Sequence, residues 1–147
     1  SEQLKGNQKS KKKKKHAENL NDIRQILDNL VAISFNQESA LNLLKNNSLH
    51  SVLTNDVLKI QNDLQKDFAL VQDSIYALAK RVPEMGHAVY EKINNIHNYF
   101  GKIQNSIYDD KRSITMSNQQ FLLTNVNDLS LIFSEIENQM QKPTRPI

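Results

Sequence analysis

The sequence predicts an all-α fold, an antiparallel up-down-up-down four-helix bundle with long helices, and three observations carry that expectation. Apolar residues recur every three or four positions in four separate stretches, a spacing that gathers them on one side of an α-helix. Glycine and proline occur three times each in 147 residues, so helices can run long with few interruptions. Strand signals are weak, with no Asn-Gly or Asp-Gly turn and no sustained two-residue alternation.

Residues 1–16 come first and stand apart. They hold seven lysines (Lys5, Lys9 and Lys11 to Lys15) against Glu2, and they are almost free of apolar side chains. Such a segment buries too little surface to offset chain entropy, so a disordered lysine-rich tail or linker, or a frayed helix, is expected there. It accounts for the basic balance of the chain: the net charge is +3, the first 16 residues contribute +6, and the remainder is −3.

The first helix is expected over 18–45. Leu20, Ile23, Leu27 and Leu30 begin its stripe, Leu41 and Leu44 resume it, and Ile26, Ile33 and Ala40 form a second stripe beside it. Two stripes imply contact with two neighbours. Ser34 and Gln37 interrupt the apolar pattern, and such a layer either fixes helix register, as buried amides do in coiled coils, or docks another segment. The polar run Lys45–Ser51 suits a helix end, a turn and a new cap.

The second helix is expected over 52–81, striped by Val57, Ile60, Leu64, Phe68, Val71, Ile75 and Leu78, with Lys80 and Arg81 favouring the negative end of its dipole. Pro83 disfavours helix at Val82 and, with Gly86, makes a short connection. The third helix, over 87–110, carries Val89, Ile93, Ile96, Phe100, Ile103 and Ile107. The fourth, over 114–141, carries Leu122, Val126, Leu129, Phe133, Ile136 and Met140, followed by a short tail over 143–147. Ser113 and Thr115 are available as caps between these two, but no proline or glycine forces a stop, and one continuous helix is the alternative.

Catalytic signals are few. Cysteine is absent, which removes disulfides, thiolate nucleophiles and cysteine metal sites. Glu84 and His87 have the E-x-x-H spacing of di-iron bundles, but those need two such motifs and two further glutamates, and this one straddles the Pro/Gly connection. His16 and His50 fall in tail and loop, His97 on a helix surface. No G-x-S-x-G elbow or glycine-rich phosphate loop occurs, and the paired Asp109 and Asp110 sit in an expected turn, open to solvent. The expectation is a non-enzymatic domain without catalytic, metal or cofactor residues. Lys11, Lys12, Lys13, Lys14 and Lys15 are the candidate polyanion contacts, as an alternative function. Without interleaved aromatics, an anionic lipid surface fits them better than nucleic acid, which is not expected as a partner. Phe35, Tyr90 and Phe121 are the candidate contacts for a protein partner, another segment of a longer chain, or a second copy.

Three strings carry a family resemblance: IRQILDNLVAISFNQE (Ile23 to Glu38), DSIYALAKRVP (Asp73 to Pro83) and NQQFLLTNVNDLSLIFSEIENQMQ (Asn118 to Gln141). In order and spacing they resemble the C-terminal helical region of the large membrane-anchored, coiled-coil-rich proteins of Bacteroidota catalogued as a domain of unknown function. The lysine-rich lead-in is similar to the charged, coiled-coil-like stretch that precedes that region, so the resemblance covers residues 10 to 141. It implies a helical scaffold or protein-interaction module in a bacterial cell envelope, carried by an inner-membrane-anchored protein and periplasmic by preference. It brings no catalytic residues with it. The apolar run Leu30–Ile33 is far short of the roughly 20 residues a membrane-spanning helix needs, so any anchor would lie outside these residues.

Overall fold

A computed structural model describes residues 2–47, 51–83 and 85–142, and within them every regular element is an α-helix, without strands. Four helices follow one another: α1 (Glu2–Asn46), α2 (Ser51–Ala79), α3 (His87–Tyr108) and α4 (Arg112–Gln141). Each packs on two neighbours, α1 and α3 both lying against α2 and α4. The predicted stripes form the interior. All six members in α3 are buried, as are Val57, Leu64, Phe68, Val71, Ile75 and Leu78 of α2 and Leu122, Val126, Leu129, Phe133 and Ile136 of α4. Ile60 and Met140 are only partly buried at its margin. Both stripes of α1 are used, Ile23, Leu30 and Leu44 with Ile26, Ile33 and Ala40, which fits its contact with two helices. Each fully buried Leu, Ile or Phe contributes about 1.5–3 kcal/mol of apolar transfer, so the interior dominates the stability.

Of the two expectations for the first 16 residues, a disordered tail or linker and a frayed helix, the structure shows helix: α1 runs from Glu2, while residues 3–18 remain exposed. Lysine and glutamine are good helix formers and proline is absent. Adding turns to a helix nucleated by the packed segment avoids the cost of starting one. The order therefore spreads from Ile23 and its neighbours backwards along the chain.

The α3–α4 connection is also resolved, as a turn and not a continuous helix. Asp110 takes φ 56°, the left-handed conformation that asparagine and aspartate tolerate better than most residues. Its N–H donates to Ile107 O at 3.1 Å, and the Lys111 N–H donates to Ser106 O at 2.9 Å. These two bonds are a Schellman stop, made here without glycine. The cap of α4 is Lys111, without a side-chain bond, rather than Ser113 or Thr115. Thr115 is buried instead, donating to Lys111 O and sharing a 2.7 Å hydrogen bond with Ser106 Oγ.

Candidate interaction surfaces

Gln37 is fully buried, and its partner, Gln61, lies on α2, where its own helix does not disclose it. Gln37 Nε2 donates to Gln61 Oε1 at 2.8 Å, Gln61 Nε2 returns a bond to Gln37 Oε1 at 2.9 Å, and Gln119 Nε2 donates to Gln61 Oε1 at 2.9 Å. Three helices thus meet in one amide layer with all three side chains at 0% exposure. Gln119 Oε1 is the one buried side-chain polar atom among the described residues that lacks a partner. Ser34, the other polar interruption, is not in this layer; its hydroxyl donates to Asn127 Oδ1 of α4 at 2.6 Å. The arrangement holds helices in register and has no reactive group.

The seam between α2 and α3 is bridged by long polar side chains and rings. Gln104 Nε2 donates to Asn62 Oδ1 and Gln65 Oε1, and His97 is hydrogen-bonded to Gln72 and set edge-on to Phe68, 5.7 Å between centroids. His16 bonds to Met140 O at 3.0 Å. In the E-x-x-H motif, Glu84 lies outside the described residues, as does His50, and His87 is exposed on the first turn of α3. Among the described residues no three His, Cys, Asp or Glu side chains converge as metal ligands would.

The three candidate partner contacts separate. Tyr90 is half-buried and stacked on Tyr76 at 5.7 Å, so much of its ring is already used inside the bundle. Phe121 is 53% exposed but stacks on Tyr99 at 5.5 Å, and Lys102 Nζ lies 5.3 Å from the other ring of that pair. Phe35 is 69% exposed, and no ring among the described residues stacks on it. Lys11 to Lys15 are all exposed along α1. The candidate residues do not form one site.

A surface that the sequence reading missed runs along the seam of α1 and α2. One depression of about 440 Å³ is lined by Ala40, Leu43, Ile60 and Leu64 with Asp63 and Asp67. A second, of about 320 Å³, shares Asn36 and Asp67 with it and is floored by Ala32, Ile33 and Val71 beside the exposed Leu70. A third, of about 180 Å³, continues from Asn29 and Ser74 to the Asp22–Arg81 ion pair. Small residues keep these two helices from filling their own interface. Asn29, Ala32, Asn36, Ser39 and Leu43 recur at helical spacing on α1, which is the pattern that could have disclosed the groove.

No helix among the described residues is long and apolar enough to cross a membrane. No family model matches the chain, and no similar protein was found among the curated proteins or the solved structures.

Proposed function

We propose that this chain is a non-enzymatic helical scaffold whose α1–α2 groove receives a helix from a protein partner. The open groove is the observation that carries the reading. From Asp22 to Leu43 it runs about 32 Å at 1.5 Å per residue, long enough for roughly five or six turns of a docked helix. Ala32, Ser39 and Ala40 allow close approach, the apolar lining supplies burial, and Asp63 and Asp67 favour basic residues on the incoming helix.

The scaffold reading includes an up-down-up-down course of the four helices. It is supported by side-chain pairs whose numbers run in opposite directions: Asp22 with Arg81 but Gln37 with Gln61, and His16 with Met140 but Ser34 with Asn127. The same reversal relates Gln72 and His97 to Asn62 and Gln104, and Asn95 and Asn125 to Ser106 and Thr115. A place in a bacterial cell envelope belongs to the proposal on the strength of the three resembling segments, and fractionation of source cells tests it.

The groove is tested by capture from an envelope extract with three baits: the native chain, a variant carrying Ser39→Arg and Leu70→Asp, both exposed groove positions, and a control carrying Tyr108→Asp, a residue 74% exposed. The expected result is a stoichiometric protein held by the native chain and the control but lost from the groove variant. Capture that is unaffected by filling the groove, or no capture at all, overturns the reading.

A further inference from the structure

Because α1 is one continuous helix, its lysines and its exposed apolar residues lie on a common rod with a fixed angular relation. Lys9, Lys13, Arg24, Val31, Phe35 and Lys45 fall within about 80° of one another at 100° per residue. The centre of this arc is on the outer side of the helix, with Val31 60% and Phe35 69% exposed and the four cations exposed. Its edge at Lys9 and Lys45 also takes in Leu20 and Leu27, both half-buried, Leu27 against the core. Against those cations the described part of the arc carries Glu38. The Ser34–Asn127 and His16–Met140 bonds set the register with α4, which puts Leu131, itself 61% exposed, at the level of Val31.

We propose that the outer side of α1 lies along an anionic lipid bilayer, with the lysine-bearing end on the headgroups and Phe35 and Val31 entering the interface. A polybasic stretch and a small apolar contact are two weak signals that together hold a protein on a membrane surface without spanning it. Lys12 and Lys14 flank this arc, each about 100° from its centre, while Lys11 and Lys15 lie about 160° from it on the far side of the helix. Lysine alone, with no arginine or aromatic in residues 1–16, suits diffuse attraction to mobile headgroups better than the bidentate or stacking contacts of nucleic-acid recognition. The net charge of −3 over residues 17–147 turns the rest of the molecule away from the same surface. This inference goes beyond the groove and stands or falls separately, because its residues are on the opposite side of α1.

The chain has no tryptophan, so one introduced at position 35 reports on that position alone. Phe35→Trp in the full chain is mixed with vesicles of phosphatidylcholine and phosphatidylglycerol in equal parts, with vesicles of phosphatidylcholine alone, and with duplex DNA. The expected result is a blue-shifted emission with the anionic vesicles only, reversed in molar salt. Lys9→Gln and Lys13→Gln should each weaken that binding about five-fold, the value of one lysine near a charged surface. Leu70→Trp, a position equally exposed but on α2, should not shift. No shift at Phe35→Trp, an equal shift at Leu70→Trp, or an equal shift with neutral vesicles overturns the proposal. A shift with DNA instead assigns the lysines to nucleic acid, and a shift from raising protein concentration alone assigns the patch to a second copy; either also overturns it.

Discussion

The two halves of α1 share one backbone and have different reasons for being helical. From Ile23 to Leu44 the helix is held by tertiary burial, with Ile23, Leu30 and Leu44 at 0% exposure and an apolar stripe toward each neighbour. From Gln3 to Lys15 every side chain is exposed, and the helix persists through propensity and continuity with the packed half. Lysines three and four apart, such as Lys9 with Lys13 and Lys11 with Lys15, oppose it by a few tenths of a kcal/mol per pair. Packing therefore makes one half insensitive to solution conditions, whereas the other half responds to whatever neutralises its charge.

The largest effect that can break this comparison is a cavity in the packed half. Leu30→Ala should lower unfolding stability by about 2–5 kcal/mol, whereas Lys12→Gly, although it removes a good helix former, should leave global stability within about 0.5 kcal/mol. Chemical denaturation of both variants measures the contrast, and equal losses would mean that the extension is packed after all.

A smaller loss is expected at the amide layer, and it should be asymmetric. Gln37→Leu strips Gln61 of both a donor and an acceptor partner inside the bundle, at a cost of about 1–3 kcal/mol. Gln119→Leu removes one bond to Gln61 but also removes the orphaned Gln119 Oε1, so its net change should be under about 1 kcal/mol. Thermal unfolding of the two variants side by side checks the order, and a costlier Gln119→Leu would contradict the assigned network.

Much of this was legible in the residues, for a physical reason. A core stripe is a local pattern, so Val89 through Ile107 announced their helix and their burial together, and the ends of α2, α3 and α4 fell within a few residues of those expected. What depended on another part of the chain was not legible. Gln37 stood out as a polar interruption, but that Gln61 and Gln119 complete its layer follows from tertiary register. Tyr90 and Phe121 looked available because nothing local reveals that Tyr76 and Tyr99 stack on them. For the lysine-rich start, a composition that resists independent folding left a disordered tail and a frayed helix both open, while the packed helix beside it supplies the nucleus for helix.

The smallest of the expected effects is a gain. Asp110 sits at φ 56°, where a Cβ carries a steric penalty that glycine lacks. Asp110→Gly should raise stability by about 0.5–1 kcal/mol and leave the Schellman bonds intact. A loss of stability in thermal unfolding would show that the aspartate side chain itself holds the α3–α4 turn.

Residue-resolved amide hydrogen exchange along α1, with and without anionic vesicles, tests the division of this helix most directly. Amides between Ile23 and Leu44 should exchange only through global unfolding in both conditions. Those between Gln3 and Lys15 should exchange fast in solution and slow markedly when the vesicles are present. Uniform protection along α1 in solution, or an extension whose exchange the vesicles leave unchanged, would contradict the account.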